Sequence, residues 1–300
     1  MHSAVPYNPR LAVVLMMIAT AFIAATMLLA KTLGGDIAGT ALHPLQITHG
    51  RFVFAFLTLS AVAAVLRPRF RQPDWRLHLA RTTFGWAGVT LMFASVAYIP
   101  LADATAITFL NPVFGMILAI PLLGERVGRI RWSAAALALA GAMILLRPTP
   151  ASFQAASLLA LGAAAVMGME LIFIKKLSGR EPAFQILLIN NFLGIGLSSL
   201  AVLAVWQMPT AQQWALLVAL GCLMAVAQTC FVNAMARADA SFVAPFSYGT
   251  LLFATLYDLL FFAHTPDVVT ILGAAVILAG GILLAIREAR TRPAAGNTVQ

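Results

Sequence analysis

Long apolar runs, separated by short breaks that carry charge, proline or glycine, recur along this 300-residue sequence. A helix needs about 20 predominantly apolar residues to cross the hydrocarbon core of a bilayer. Ten runs approach that length, and we predict ten transmembrane helices near residues 11–30, 47–66, 77–98, 104–123, 131–147, 155–176, 184–206, 213–235, 240–263 and 268–286. The composition agrees, because only 10% of the residues are charged, whereas soluble domains carry about 25%. The sequence therefore predicts an all-α protein embedded in a lipid bilayer.

The basic residues fall mainly on one side of this predicted bundle. Of the 19 Lys and Arg residues, Arg51 lies within helix 2, and Lys31 and Arg147 lie in the outer loops. The other 16 lie in the N-terminal segment, the C-terminus and loops 2/3, 4/5, 6/7 and 8/9, if the first helix leaves from the inside. Loop 2/3 is assigned Arg67, Arg69, Arg71, Arg76 and Arg81. The positive-inside rule then predicts cytoplasmic termini in a bacterial inner membrane, and no basic patch is left for a nucleic acid.

The two halves of the sequence resemble each other. Residues 131–146 align without gaps on residues 270–285, and Ala-Asp-Ala-Thr at 102–105 matches Ala-Asp-Ala-Ser at 238–241. We predict two five-helix repeats, 11–147 and 155–286, followed by a disordered cytoplasmic tail, 287–300. Because five is odd, the second repeat enters the membrane inverted. Inverted repeats are a recurrent architecture of secondary transporters, which expose a site between the halves to each side in turn.

The repeats also resemble a known family. Residues 98–148 are similar to the end of the first EamA-type repeat of the drug/metabolite transporter superfamily, and residues 241–284 to the close of the second. The stretch HPLQITHGRFVFA, which contains Arg51, resembles the second helix of that family. The resemblance implies a ten-helix carrier of small metabolites, often amino acids moved outward, with a cavity walled by helices other than 5 and 10. One departure is that Gly124-Glu125 follows helix 4, whereas Ala263-His264 stands at the equivalent place in the second repeat.

Three ionisable residues, Arg51, Glu170 and Asp258, lie inside predicted helices. A charge at the bilayer centre costs at least about 2.5 kcal/mol, so such residues are candidates for function by default. Glu170 lies too deep in helix 6 to reach the interface easily, and Thr26 occupies its place in the first repeat. We predict that Glu170 binds a substrate amine or carries a proton; the alternative is a carboxylate hydrogen-bonded to a neighbouring helix. Arg51 and Asp258, both toward the outer side, either contact substrate or pair with each other.

Uncharged polar and aromatic side chains complete the predicted substrate site. Pro112 and Pro245 interrupt helices 4 and 9 at corresponding places, and paired interruptions indicate a site near the midplane. Asn111 and Tyr248 lie beside these prolines and are favoured for that reason. The further candidates are Asn190, Asn191, Gln228 and Trp86, the last sharing a helical face with Phe93. Each of these side chains serves helix packing equally well.

The sequence favours a secondary carrier that exports aromatic or neutral amino acids, with a planar metabolite such as riboflavin or a nucleobase as the runner-up substrate. An integral membrane enzyme is the alternative from another class, but it needs a convergent catalytic constellation. The sequence shows none, so we predict no catalytic residue, cofactor or metal site. Small residues allow helices 5 and 10 to approach closely and suggest a supporting face or a homodimer face: Ala134, Ala138, Gly141, Gly273, Gly280 and Gly281.

Overall fold

The computed structural model describes residues 6–35, 39–68, 70–96, 98, 101–147, 157–262 and 267–291, and no β-strand occurs among them. The helices are α1 (Pro9–Gly34), α2 (Pro44–Leu66), α3 (Trp75–Val96), α4 (Leu101–Thr108), α5 (Asn111–Leu123), α6 (Arg129–Leu146), α7 (Ser157–Ser178), α8 (Ala183–Val202), α9 (Ala211–Arg237), α10 (Ala240–Val243), α11 (Gly249–Phe262) and α12 (Val268–Thr291). A 3₁₀ segment, Ala244–Tyr248, joins α10 to α11. Seven helical stretches of the described residues are long and apolar enough to cross a membrane. The fold is therefore all-α, as the sequence predicts.

Two of the predicted spans are interrupted, and the interruptions touch each other. Predicted helix 4 divides into α4 and α5 just before Asn111 and Pro112, because proline begins a helix readily but cannot donate a hydrogen bond within one. Predicted helix 9 tightens into the 3₁₀ segment that contains Pro245. The Tyr248 hydroxyl donates to the Phe109 carbonyl oxygen at 2.7 Å, and the two rings stack. The paired interruption predicted from the two prolines is present, and it forms one shared contact.

Corresponding helices of the two halves make corresponding contacts. The helix α1 packs along α9, and α7 packs along α3. In the same way α5 packs on α7, α11 packs on α1, and α2 crosses α8. Exchanging α1 with α7, α2 with α8, α3 with α9 and α5 with α11 converts each contact into its counterpart. The main packing therefore lies between the halves, where a site between them would also lie.

The helices α6 and α12 pack against each other at the edge of the bundle. A Cβ atom added to Gly141 would lie 2.7 Å from the Gly273 carbonyl oxygen, and one added to Gly280 would lie 3.0 Å from the Ala134 carbonyl oxygen. The small residues thus bring two backbones together within the chain. These small residues pack α6 against α12, as a supporting face would. Because they are already in contact within the chain, they give no argument for the predicted homodimer.

An ion pair joins the end of α6 to the start of α12. Arg147, which follows α6, donates to the carboxylate of Asp267, which precedes α12. This hydrogen bond holds the pKa of the Asp267 carboxyl well below its usual range.

The helix α12 continues to Thr291, past the boundary at residue 287 where the sequence predicts a disordered tail. Residues 287–291 are therefore helical rather than disordered, and residues 292–300 lie outside the described part of the chain.

Gly168 is the point at which α7 touches α5. A Cβ atom there would lie 2.7 Å from Phe114 Cβ and 2.9 Å from the Gly115 amide nitrogen. We expect Gly168→Ala to lower the thermal unfolding midpoint of the purified protein by several degrees, because overpacking costs about 1–3 kcal/mol. Gly196→Ala is the matched control, since α8 has open space at that Cβ position and alanine is the better helix former. Equal midpoints for the two variants would contradict the close contact between α5 and α7.

Candidate substrate-binding site

A cavity of about 350 Å³ lies between α2, α3, α7, α8 and α9. Its lining runs from Leu45 and Ala201, next to the ends of α2 and α8, inward to Arg81, Glu170 and Asn190. None of its described lining residues belongs to α6 or α12, in agreement with a wall built from the other helices. Small-molecule sites typically occupy about 300–1,000 Å³. The cavity is therefore large enough for a small metabolite.

Three ionisable side chains meet in this cavity: Arg51 of α2, Arg81 of α3 and Glu170 of α7. Both guanidinium groups attract the Glu170 carboxylate electrostatically, and the Arg81 charge also acts on Arg51. The carboxylate lies against α3, because a Cβ atom on Gly85 would be only 2.8 Å from Glu170 Cδ. Glycine at that place thus makes room for a charged group in a helix contact. We call these three side chains the charged triad.

Arg81 is the member of the charged triad that the sequence interpretation misplaces. Its assignment to loop 2/3 is wrong, because it lies inside α3 and is only 3% exposed. Its Nε and Nη1 atoms are buried and have no hydrogen-bond partner among the described residues. The signal for this position was available, since the predicted third helix begins at residue 77. An arginine inside a predicted span is a functional candidate for the same reason as Arg51.

Aromatic and hydrogen-bonding groups surround the charged triad. The indole of Trp86 lines the cavity one turn beyond Arg81 on α3, and Arg51 lies over the ring of Phe52 at 4.2 Å. Asn190 and Gln228 also line the cavity, together with the hydroxyl-bearing residues Thr48, Thr82 and Thr90. The cavity thus combines a flat apolar surface with several uncharged donors and acceptors.

Asn111, predicted as a ligand of the substrate, lines a second cavity of about 180 Å³ together with Phe231 and Ser247. Glu170 lines both cavities, so it lies between them. The Asn111 side chain also donates to the Thr108 carbonyl oxygen at 3.0 Å. Asn111 therefore stabilises the interruption between α4 and α5 as well as facing the second cavity.

Tyr248 and Asn191 are fully buried and line neither cavity. Tyr248 is bonded to the Phe109 carbonyl oxygen, and Asn191 donates to the Gln228 side-chain oxygen at 3.1 Å. In this structure both side chains make the packing contacts that the sequence left open as the alternative, and their predicted contact with substrate stays a prediction. Asp258 belongs to α11, but its side chain lies outside the described residues, as does that of Phe93.

A polar cluster lies at one end of the bundle, where α5, α7 and α9 end and α6 and α10 begin. We call this end of the bundle the basic end. Glu125 Oε1 accepts from the Ala240 amide at 2.7 Å, and Oε2 accepts from the Ser241 amide at 2.9 Å. A carboxylate satisfies the free amides of a helix start and complements its dipole. The family motif Gly124-Glu125 in the first half thus holds the start of α10 in the second half.

Further basic side chains reinforce this junction. Arg131 donates to Asp239 Oδ2 at 2.8 Å and to Ser241 Oγ at 2.7 Å, and Lys175 Nζ donates to the Met235 carbonyl oxygen at 2.7 Å. We define the latch as the side chains of Glu125, Arg131, Lys175, Asp239 and Ser241. The latch joins the two halves of the chain at the basic end.

A second polar cluster at the basic end ties the segment before α3 to the start of α8. His78 Nε2 and Glu181 Oε2 lie 2.8 Å apart and are both buried. Glu181 also accepts from the Asp74 amide, while Gln185 accepts from the Arg71 amide. The main cavity extends toward the opposite end of the bundle, where Leu45 and Ala201 line it.

An all-helical chain with at least seven membrane-crossing stretches, two corresponding halves and a polar cavity between them has the architecture of a membrane transporter. The EamA-like transporter family model matches residues 10–147 and again residues 154–286. The chain belongs to this family and is a multi-pass protein of the bacterial inner membrane rather than an enzyme. The resemblance in the repeat residues is thereby confirmed.

Known proteins with similar sequences or folds extend this assignment. The chain is 35% identical to a riboflavin transporter of Vibrio cholerae over 220 residues, 71% of this chain and 72% of that protein. It is 34% identical to a riboflavin transporter of Rhizobium johnstonii over 244 residues, 80% of this chain and 78% of that protein. A solved crystal structure with 20% identity has the same fold, with a TM-score of 0.79 over 92% of this chain and 98% of the solved one.

Proposed function

We propose that this protein is a secondary carrier of a planar, polar metabolite, with riboflavin as the first substrate to test. The observation that carries this proposal is the joint presence in one cavity of Trp86, the charged triad and several uncharged hydrogen-bonding groups. A flavin has a flat ring system that stacks on an indole. Its ring edge bears carbonyl oxygens that accept from guanidinium donors, and its side chain bears hydroxyls that suit the threonines and Gln228. The similarity to two riboflavin transporters supports the same choice.

We also propose that ten spans form two inverted repeats, 11–147 and 155–286, with both termini cytoplasmic. Counting α4 with α5, and α10 with α11, as single spans gives this number, and the loop charges give the orientation. The basic end is then cytoplasmic, so the structure represents a carrier open to the outside. Transport follows from rocking of the halves about the cavity, which exposes it to either side in turn.

Export of aromatic or neutral amino acids, the function that the sequence favours, gains no support from the two riboflavin transporters. It remains the competing outcome of the transport experiment. The cavity differs from a minimal amino acid site in that its polar groups extend along three turns of α3, from Arg81 to Thr90. This length suits a ring system with an attached hydroxylated chain.

Uptake of labelled riboflavin by proteoliposomes tests the proposal. We expect saturable uptake that unlabelled riboflavin competes and that excess tryptophan leaves unchanged. Trp86→Ala should lower uptake at limiting substrate about tenfold, because loss of base–aromatic stacking costs about 1–3 kcal/mol. Trp75→Ala, which removes an exposed tryptophan from the start of the same helix, is the matched control. Uptake of tryptophan but not of riboflavin would show that the substrate is an amino acid. A chemically altered flavin would indicate an enzyme.

A further inference from the structure

The buried guanidinium of Arg81 has donors that the described protein does not use. Its Nε and Nη1 atoms are buried without a hydrogen-bond partner, and its side chain lines the main cavity. Arginine carries five N–H donors in a fixed planar arrangement. Buried polar groups in folded proteins almost always have partners, so each exception needs a physical explanation. A ligand oxygen in the cavity would satisfy these donors.

The charges of the cavity point to the kind of ligand. Arg51 and Arg81 are opposed by one carboxylate, Glu170, and no other ionisable residue is among the described lining residues. The triad therefore carries one positive charge in excess. Burying a charge without a counter-charge is unfavourable, and a ligand with one negative charge would balance the triad. A neutral ligand could satisfy the donors, but it would leave this excess in place.

We propose that Arg51 and Arg81 form an anion subsite that binds a carboxylate or phosphate group of the transported molecule. Guanidinium groups bind both kinds of anion through paired hydrogen bonds. Trp86 lies close by on α3, so an anionic group at the subsite leaves an attached ring within reach of the indole. The inference rests on the proposed function in one respect, namely that this cavity is the transport site. It adds that planar molecules with a negative charge bind in this cavity in preference to neutral ones such as riboflavin.

Binding to the purified full-length protein tests the subsite with ligand pairs that differ in charge. Riboflavin 5′-phosphate against riboflavin is the phosphate arm, and indole-3-acetate against indole-3-acetamide is the carboxylate arm. We expect the anionic member to bind at least about tenfold more tightly in one arm or both, equivalent to ~1.4 kcal/mol. The arm that shows the preference identifies the anion. Equal affinities in both arms, or tighter binding of the neutral members, would overturn the subsite.

Variants assign the preference to the two arginines. Arg81→Gln should weaken binding of the anionic member far more than binding of the neutral member and so abolish the preference, and Arg81→Lys should retain part of it. Arg76→Gln removes an exposed arginine from the same helix and should leave the preference intact. If Arg81→Gln does not fold, Arg51→Gln takes its place. A preference that persists in both glutamine variants would refute the assignment.

The outcomes separate the subsite from the proposed substrate. Anion preference without riboflavin uptake in proteoliposomes would overturn the flavin as substrate and support the subsite. Riboflavin uptake without any anion preference would support the flavin and overturn the subsite.

Discussion

Glu170→Gln is expected to reduce riboflavin uptake by about 100-fold or more, equivalent to ~2.7 kcal/mol. Glutamine keeps the shape of the side chain but leaves Arg51 and Arg81 without their counter-charge. Two guanidinium groups then face each other across a protein cavity, where like charges repel more strongly than in water. Because Glu170 lines the main cavity, this repulsion acts inside the proposed substrate site. The measurement is the initial rate of uptake, normalised to the amount of folded carrier in the proteoliposomes.

Two further variants separate the charge of Glu170 from its position. Glu170→Asp keeps the charge and should retain part of the uptake. Combining Glu170→Gln with Arg81→Gln returns the net charge of the triad to its wild-type value. The double variant should therefore have a thermal unfolding midpoint close to that of the wild type, but it should not recover transport. The anion subsite adds a binding test, since Glu170→Gln should increase the preference for riboflavin 5′-phosphate over riboflavin. Wild-type uptake by Glu170→Gln would show that the carboxylate takes no part in transport.

Glu125→Gln is expected to open the basic end. The Glu125 carboxylate binds two amides at the start of α10, and a hydrogen bond to a charged group contributes about 1.5–3 kcal/mol. Losing the charge should weaken the latch on one face of the membrane only. The open population should rise about tenfold or more, since each ~1.4 kcal/mol changes an equilibrium tenfold. Net uptake should fall, because the carrier spends less time open at the other end.

A single cysteine measures this shift. Ser247→Cys, with Cys222 and Cys230 replaced by alanine, places a thiol in the second cavity, which Glu170 also lines. An impermeant maleimide supplied at the basic end should modify this thiol about tenfold faster when Glu125→Gln is added. Arg126→Gln, which removes the exposed charge next to Glu125, is the matched control. An equal increase in the control would mean that local charge, rather than the latch, governs access.

Helices and repeat could be predicted from the sequence because both depend on patterns along the chain. The length of the apolar runs predicts the spans, and the two prolines predict the paired interruption. Glu170 and Arg51 are charged residues within such runs, which predicts that they face a polar cavity rather than lipid. These signals lie in short stretches of sequence, so they can be recognised without knowledge of the tertiary structure.

The direction of a side chain and its distant partners could not be predicted in this way. Asn190 lines the cavity whereas its neighbour Asn191 is buried, and nothing in the adjacent sequence distinguishes the two. Arg81 was misplaced because a basic residue near a helix start looks like a loop charge. The latch joins Glu125 to Ser241, which are 116 residues apart, so only the folded chain reveals it.

The contact between Phe109 and Tyr248 has a mechanical consequence. These residues are 139 positions apart, the same offset that relates residues 131–146 to residues 270–285 in the sequence repeat. The contact therefore joins the interruption in the first half of the chain to the interruption in the second half. Because this contact ties the two interrupted helices together, any relative movement of the halves has to carry both rings with it or break the hydrogen bond between the two residues.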